Sequence, residues 1–453
     1  MSSLLWLRRD LRLGDHPALL KAREDAGGDV TVLFVLDPAL WARVGPVRTA
    51  WLAATLRALD EDLDGRLTLR VGDPADVVPA VAREIGATGV HVTRETTPYG
   101  VRRDQQVQDA LPGEVDWVET GTPYAVGPGL VRNGSGDPYK VFTPFGKAWR
   151  AHGWPGPAAY PEGLTPTDLG RDADADRLVE EALAADDLPE LPPAGERAAL
   201  ARWREFLEQD LADYDRGRDR PAEDSTSGMS AHLKVGTVHP RTLLADLAGK
   251  GGASVERFVS ELAWREFYAD VLHHHPRTGW SDLRQELAGL RYDEPQDAIE
   301  AWQQGQTGYP IVDAGMRQLL ATGLMHNRVR MITASFLTKD LHVWWPVGAR
   351  WFLDRLLDGD LASNNHNWQW VAGTGTDAAP YFRVFNPVLQ GERFDPRGEY
   401  VRRWVPELAH LSGKAVHQPW EHEEGYAHGY VRRIVDHAEE RKEALARYKA
   451  ARG

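Results

Sequence analysis

The segment DGDLASNNHNWQWVAGTGTDAAPYFRVFNP, residues 358–387, is the most informative part of the chain. Acids, amides and hydroxyls are mixed in it with large aromatics, and its glycines and prolines are too many for one long helix. A surface helix would place its polar residues on one face, with a 3.6-residue period. Because buried polar groups must be hydrogen-bonded, this mixture suits a flat heteroaromatic ligand with donors and acceptors on its edge, such as a flavin.

Two other motifs extend this pattern. HNRVRMITASFLTKD lies at residues 326–340, and LWLRRDLR lies at residues 5–12. The three segments together resemble the photolyase/cryptochrome family, and the likeness runs from the opening motif to Pro406. The chain looks most like bacterial class I cyclobutane pyrimidine dimer photolyases of the deazaflavin-antenna type. The resemblance implies an α/β N-terminal domain with a Rossmann-like parallel sheet and an all-α C-terminal domain that binds FAD.

Residues 1–125 support an α/β domain without help from the resemblance. Short apolar runs alternate there with amphipathic stretches, which indicates βαβ units and a parallel sheet. Leucines at 52, 56, 59 and 63 have helical spacing within residues 48–63. No Gly-x-Gly-x-x-Gly follows the first strand, so an ordinary dinucleotide site is not supported there. The predicted strands are Leu4–Leu7, Val30–Leu36, Leu67–Val71, Val90–Thr93 and Val115–Val118.

The remainder of the chain has a different character. Residues 126–200 are rich in glycine and proline and then acidic, which predicts an interdomain linker over the surface. Strand signals fade in residues 201–453, and most of the 17 tryptophans of the chain lie in this part. We therefore expect residues 1–125 to bind an antenna and residues 201–453 to form a helical domain that binds FAD and DNA.

Composition narrows the class of protein. A chain of 453 residues exceeds the usual size of a single core, so two domains are expected. The absence of cysteine excludes disulfides, thiolate zinc and iron–sulfur clusters. Charges interrupt the first apolar run and no run could span a bilayer, so neither a signal peptide nor a membrane span is predicted. We expect the protein to be cytoplasmic and monomeric. The net charge of −14 argues against nonspecific coating of nucleic acid but permits a local basic groove.

The run DSTSGMS, residues 224–230, either caps a helix or presents N–H groups and hydroxyls to an anion. The resemblance implies that it holds the FAD diphosphate, and that Arg330 and Asp358 form an ion pair beside the flavin imide. From the residues alone, that pair could equally be a structural salt bridge. Asn364 would face flavin N5, where a neutral amide suits the reduced working form, FADH⁻. The implied FAD contacts are Tyr214, Thr226, Ser227, Gly228, Met229, Ser230, Phe258, Arg330, Asp358, Gly359, Asp360 and Asn364.

Two pairs of residues would line a substrate cavity. Glu261 and Trp264 are three residues apart, and Asn327 and Met331 are four apart, so each pair shares a helix face. Taken alone, these aromatics would be core residues and Glu261 a solvated one. The resemblance implies instead a cavity for a cyclobutane pyrimidine dimer, which light-excited FADH⁻ reduces and Glu261 stabilises as a radical anion. The implied catalytic residues are Glu261, Trp264, Asn327, Met331, Asn364 and Trp370.

The resemblance also implies UV-damaged DNA as the partner and an electron relay to the protein surface. Phosphate contacts would position the lesion without reading sequence. The implied DNA contacts are Arg218, Glu261, Trp264, Arg265, Tyr268, Asn327, Arg328, Trp370, Arg383 and Gln390. The relay would consist of Trp368, Trp345 and Tyr292, with tyrosine in place of the usual outermost tryptophan. Packing alone would also explain the two tryptophans.

The segment ETTPYGVRRD, residues 95–104, bears on the antenna. It lacks the Asn-Glu of folate-binding relatives and resembles the Pro-Tyr-Gly form of relatives that hold a deazaflavin. Arg48, Glu95 and Arg103 lie at the matching ligand positions. The expected antenna is 8-hydroxy-5-deazaflavin, with methenyltetrahydrofolate or no antenna as the alternatives.

Three other functional readings compete with dimer repair. The histidine triplet at 273–275 does not predict a metal site, because consecutive side chains point in different directions. A cryptochrome-like blue-light receptor without repair activity is one alternative, and the intact set of Glu261, Trp264, Met331 and Trp370 argues against it. A (6-4) photolyase is the other, but the histidine pair that such relatives use is not evident.

Overall fold

The computed structural model describes residues 2–376 and 382–452. Spatial contacts divide the chain into two compact units. The first unit is Met1–Gln209 with Ser227–Pro276, and the second unit is Asp210–Thr226 with Arg277–Gly453. No helix in the described ranges is long and apolar enough to cross a membrane.

The described residues form strands β1 (Ser2–Leu7), β2 (Val30–Leu36), β3 (Thr68–Val71), β4 (Ala87–Val92) and β5 (Asp116–Glu119). The α-helices are α1 (Pro17–Ala26), α2 (Pro38–Trp41), α3 (Pro46–Asp62), α4 (Pro74–Glu84), α5 (Pro98–Ala110), α6 (Phe142–His152), α7 (Ala173–Leu183), α8 (Gly195–Gln209), α9 (Tyr214–Gly217), α10 (Met229–Val235), α11 (Pro240–Leu247), α12 (Ala253–His274), α13 (Gln296–Gln303), α14 (Pro310–Thr322), α15 (Asn327–Ser335), α16 (Trp345–Arg355), α17 (Leu361–Ala372), α18 (Pro387–Phe394), α19 (Glu399–Trp404) and α20 (His437–Arg452). A π-helical turn, Phe336–Asp340, follows α15.

The first unit contains a parallel sheet with strand order β3-β2-β1-β4-β5. β2 is buried along its whole length, as expected for a strand with helices over both faces. Strand order reverses at β1, because β2 and β3 lie on one side of it and β4 and β5 on the other. In open parallel sheets this switch point creates a crevice at the carboxyl ends of the strands, where ligands bind.

The sequence correctly predicted a parallel sheet in the first part of the chain and helices in the remainder. β2 has the predicted bounds, and α3 covers the leucines with helical spacing. Residues 126–200, predicted as a linker, contain α6, α7 and the start of α8, and α7 packs against α3. The two compact units also divide the chain at other points than the predicted domain limits. Gly/Pro-rich composition did not reveal these short amphipathic helices.

The second unit has an aromatic core. Trp302, Trp345, Phe352, Trp368 and Tyr400 are at most 2 % exposed and belong to one apolar cluster. α15, α16 and α17 pack on one another through the turn that follows α15. Because α15 and α17 are packed helices, side chains on α15 and at the start of α17 are held in fixed directions.

Candidate functional site

An ion pair joins α15 to the segment that precedes α17 in the second unit. Arg330 donates from Nη2 to Oδ2 of Asp358 at 2.9 Å and from Nε to the carbonyl of Met325 at 2.7 Å. The Asp358 side chain is only 5 % exposed, and its Oδ1 is buried without a hydrogen-bond partner in the described chain. A buried carboxylate oxygen without a donor is costly, so this atom fits a ligand that carries an N–H group.

The residues after Asp358 form the start of α17. The amide of Gly359 donates to the carbonyl of Leu356 at 3.3 Å. Asp360 caps the helix, because its Oδ1 accepts from the amide of Ser363 at 3.0 Å. Asn364 uses its NH₂ group within the protein, at 3.1 Å from the carbonyl of Ala349. Its side-chain oxygen is therefore the atom available to a ligand, and it cannot deliver a proton.

The predicted phosphate-binding run is divided between the units. Tyr214 and Thr226 belong to the second unit, whereas the residues from Ser227 to Ser230 belong to the first. Gly228 precedes α10 with φ of 71°, a left-handed conformation that favours glycine. Ser227 Oγ accepts from the amide of Met229 at 3.3 Å. The run thus lies at the beginning of a helix, and one of its hydroxyls already serves as a local cap.

Helix α12 of the first unit carries Glu261 and Trp264. Both side chains are partly exposed. Trp264 stacks on Phe142, with 3.7 Å between ring centroids and 9° between planes, so one of its faces is covered. Tyr268 is buried beside Trp264. Phe258 is also buried, against an aromatic cluster on α8.

Arg265 and Glu266 hold α12 to neighbouring loops. Arg265 donates to the carbonyls of Pro123 at 3.0 Å and Leu233 at 3.1 Å. Glu266, which the sequence reading did not select, accepts from three consecutive backbone amides, those of residues 125–127. Burial raises the pKa of Glu266, although these hydrogen bonds oppose the shift. The sequence signal that could have identified Glu266 is an acidic residue among buried neighbours on a helix.

The first turns of α15 present the other predicted substrate residues. Asn327 is exposed and Met331 is partly buried. Between them, Arg328 donates to Asp219 at 2.7 Å, and its guanidinium carbon lies 4.4 Å from the centroid of the Phe394 ring. The predicted substrate residues are therefore divided, with Glu261 and Trp264 in the first unit.

Trp370, Arg383, Gln390 and Arg218 complete the predicted DNA-contacting set of the second unit. The guanidinium carbon of Arg383 lies 4.9 Å from the centroid of the Trp370 ring, so a cation borders this predicted wall of the cavity. Gln390 lies on α18 and Arg218 follows α9, and both are partly exposed. Residues 377–381, which belong to the segment 358–387, lie outside the described residues.

The predicted relay residues form two adjoining aromatic groups. Trp368 packs edge-on against Trp302 and Phe352, with centroid distances of 6.1 and 5.0 Å. Trp345 donates from Nε1 to Asp282 at 2.7 Å. Exposed Trp344 lies 6.5 Å from Trp345 and 6.4 Å from Tyr292 between ring centroids.

Two of the predicted antenna residues, Glu95 and Arg103, lie at the switch point of the sheet. Glu95 follows β4 and is 3.6 Å from Arg9, which follows β1. Arg103, on α5, binds Asp104 at 2.7 Å, and its guanidinium carbon lies 4.9 Å from the centroid of the Trp6 ring.

Arg8 also borders this cluster. Arg8 binds Asp104 at 3.2 Å, and its Nη1 is buried without a hydrogen-bond partner in the described chain. Arg48, on α3, is partly buried. The cluster therefore retains a spare hydrogen-bond donor, which suits a ligand with an acceptor or a negative charge.

Two family models match the chain. Residues 3–163 match "DNA photolyase", and residues 258–450 match "FAD binding domain of DNA photolyase". A Streptomyces griseus protein named deoxyribodipyrimidine photo-lyase is 45 % identical, with 98 % of this chain and 97 % of the relative covered. A Halobacterium salinarum protein of the same name is 41 % identical, with 99 % of each chain covered.

Solved structures agree with these matches. A bacterial class III photolyase from Agrobacterium tumefaciens has a TM-score of 0.91 and 37 % identity, with 99 % of this chain and 97 % of that chain covered. A Synechocystis cryptochrome has a TM-score of 0.89 and 29 % identity, with 99 % and 98 % covered.

Proposed function

The chain belongs to the DNA photolyase family, and from that premise we propose that it is a deoxyribodipyrimidine photo-lyase that repairs cyclobutane pyrimidine dimers in UV-damaged DNA by the use of light. The full-length similarity to relatives of that name carries the proposal. We further propose a cytoplasmic monomer, in which residues 1–125 bind the antenna and residues 201–453 bind FAD and DNA.

The second unit would hold the flavin ring. Oδ1 of Asp358 lacks a donor, and a flavin imide N–H supplies one. Arg330 fixes the carboxylate in place through Oδ2, while Asp360 and Asn364 add polar atoms nearby in sequence. Tyr214, Thr226 and the run from Ser227 to Ser230 would bind the diphosphate, with Phe258 close to the cofactor. Bound and reduced, FAD supplies the light-excited electron donor.

The proposed lesion contacts lie on α12 of the first unit and on α15 and α17 of the second. Photolyases are among the enzymes that take a target base out of the stack, and a damaged base costs least to extrude. Trp264, which stacks on Phe142, and Trp370 would each contact the dimer through their rings. Asn327 and Met331 would contact the dimer, and Glu261 would donate a hydrogen bond to it from a protonated carboxyl group.

The backbone contacts we propose are Arg218, Arg328, Arg383 and Gln390. Each is at least partly exposed. Arg265 and Tyr268 are better explained as structural residues, since the guanidinium of Arg265 already donates to two carbonyls and Tyr268 is buried. Both remain near any DNA that reaches Trp264 on the same helix.

The first unit would bind a deazaflavin antenna at Arg48, Glu95 and Arg103. The spare donor on Arg8 suits an anionic ring system. Uptake of 8-hydroxy-5-deazaflavin by the purified protein, compared with methenyltetrahydrofolate, tests this choice. Tight folate binding without deazaflavin uptake would reject it.

Light-dependent loss of dimers tests the enzymatic proposal. The reduced protein is illuminated with dimer-containing oligothymidine, and remaining dimers are counted against a dark control. We expect repair with turnover, and Glu261→Ala should retain FAD but lower the yield of repair per absorbed photon. Photochemistry of the flavin without dimer loss would favour a cryptochrome-like receptor, and repair confined to (6-4) lesions would favour the other alternative.

A further inference from the structure

Arg328, a proposed contact of the DNA backbone, is already bound to an acid. Its Nε and Nη2 both donate to Oδ1 of Asp219, at 3.3 and 2.7 Å. The pair is accessible to solvent, because 20 % of the Arg328 side chain and 39 % of the Asp219 side chain are exposed. This edge of a guanidinium is one through which arginine binds phosphate oxygens. The carboxylate therefore occupies a position that a phosphate group would use.

The surroundings of Asp219 also favour an anion. Arg328 lies in the first turn of α15, whose N-terminus attracts negative charge. The charges of Asp219 and of arginines 218, 328 and 330 all act on the pKa of His326, which caps this helix. Burial lowers the pKa of His326 to about 4; the charge of Asp219 opposes this shift and those of the three arginines add to it. At neutral pH the cap is uncharged, and Asp219 is an acid placed among cations.

Arg328 has other contacts that would keep its orientation without Asp219. Its guanidinium carbon is 4.4 Å from the centroid of the Phe394 ring, and Nη1 is 3.6 Å from Sδ of Met331. Loss of the carboxylate would therefore release donor groups while the guanidinium stays near its present position.

We propose that Asp219 competes with DNA phosphate for Arg328. DNA binding must break the ion pair, so the carboxylate weakens the backbone contact and limits the affinity for undamaged DNA. The inference rests on the proposed function, because it takes Arg328 as a phosphate contact. Such a competitor has a use in a repair enzyme, since undamaged sites greatly outnumber lesions and bind through the same phosphate contacts.

The variant Asp219→Asn tests the competition with little change of shape. Its affinity for an undamaged duplex is measured in the dark at several salt concentrations. We expect roughly two- to fivefold tighter binding at low salt, the range of an exposed ion pair. The dependence on salt should become steeper by up to about one unit of slope.

Asp213→Asn is the matched control. It removes an acid from the same segment, but Asp213 lies 3.6 Å from Arg216 in an exposed pair that does not include Arg328. Its DNA affinity should remain that of the parent. An equal gain in both variants would show a general effect of net charge and overturn the proposal.

A double-mutant cycle identifies the site of action. Arg328→Ala should weaken binding, and adding Asp219→Asn to it should give no further gain. An unchanged or weaker affinity of Asp219→Asn alone, or the same gain without Arg328, would reject the inference. Absorbance of bound flavin verifies that each variant is folded. A parent protein that neither binds nor repairs DNA would reject the proposed function itself, whereas normal repair without the predicted gain rejects only this inference.

Discussion

A buried carboxylate faces an arginine in each unit, and of the two only Asp358 has a buried oxygen without a hydrogen-bond partner in the described chain. Glu95 in the first unit and Asp358 in the second each expose 5 % of their side chain. Oε1 of Glu95 lies 3.6 Å from Arg9 and accepts from the amides of Thr96 and Thr97. Oδ2 of Asp358 is 2.9 Å from its arginine, but Oδ1 has no partner within the described residues.

The difference separates an acid with donors from the fold itself from an acid that retains a buried acceptor without a donor. Glu95 combines an ion pair with two backbone donors, so its desolvation is compensated inside the protein. Asp358 retains an unused acceptor at equal burial, and such an atom is costly unless a ligand supplies a donor. Changing Glu95 should therefore affect stability first, whereas changing Asp358 should affect the flavin first.

Asp358→Asn should have the largest effect. The amide removes the negative charge that Arg330 faces and replaces one acceptor oxygen by a donor, so an imide N–H would meet the wrong partner. Hydrogen bonds to charged groups contribute about 1.5–3 kcal/mol, and FAD affinity should fall roughly 10- to 100-fold. Titration of the apoprotein with FAD, followed by flavin absorbance, measures this.

Asp297→Asn serves as the control for that change. Asp297 is an exposed acid in the first turn of α13, so its loss alters net charge without touching the Arg330 pair. FAD affinity should be that of the parent. If Asp358→Asn binds flavin normally, the Arg330–Asp358 ion pair has only a structural role, and the contrast with Glu95 does not hold.

Glu95→Gln should have a smaller effect, on stability. Burial acts to raise the pKa of Glu95, but the charges of Arg9 and Arg103 and the amides of Thr97 and Thr96 together hold it below its usual value. A lowered pKa stabilises the fold above the unfolded pKa of about 4.3 and ceases to do so as pH falls through the folded value. At pH 7 the variant should lose about 1–2 kcal/mol of unfolding free energy.

The pH dependence of Glu95→Gln distinguishes this cause from simple mispacking. Denaturant unfolding of parent and variant is compared from pH 7 downward, and their difference should shrink below about pH 4. Burial and the charge of Glu95 both raise the pKa of neighbouring Asp104, so part of the difference at low pH comes from Asp104. A difference that stays constant with pH would mean that the charge of Glu95 is not what stabilises the fold.

The sequence predicted well which segments form strands or helices, but it predicted poorly which polar atoms pair with each other. β2 was predicted at its observed bounds because a continuous apolar run fits a strand buried on both faces. Asp358 and Arg330 were named from a motif, and the structure brings them to 2.9 Å. The partners of Glu266 and Arg328 could not be predicted, since each joins residues more than 100 positions apart in sequence. Such contacts depend on tertiary packing and leave no local pattern.

The hydroxyl oxygen of Tyr292 is another buried polar atom without a partner in the described chain, and no predicted ligand would hydrogen-bond to it. Its hydroxyl is buried without a hydrogen bond in the described chain, and burial raises its pKa, with a further contribution from Asp282. An oxidised tyrosine releases its phenolic proton, and no acceptor is bound to this hydroxyl. Trp344 is 39 % exposed and lies 6.5 Å from Trp345 between ring centroids, and we therefore propose it as the outer member of the predicted relay.

Tyr292→Phe should accordingly have the smallest effect of the substitutions. Removing an unsatisfied hydroxyl should leave stability unchanged or raise it by up to about 1 kcal/mol. Photoreduction of the bound flavin should proceed at the parent rate, whereas Trp344→Phe should slow it, and repair by already reduced protein should be normal in both variants. The measurement is flavin absorbance under continuous blue light with an external reductant. Slower photoreduction in Tyr292→Phe alone would make Tyr292 the outer donor. Its hydroxyl would then release the proton, and this unpartnered atom would be functional in the same sense as Oδ1 of Asp358.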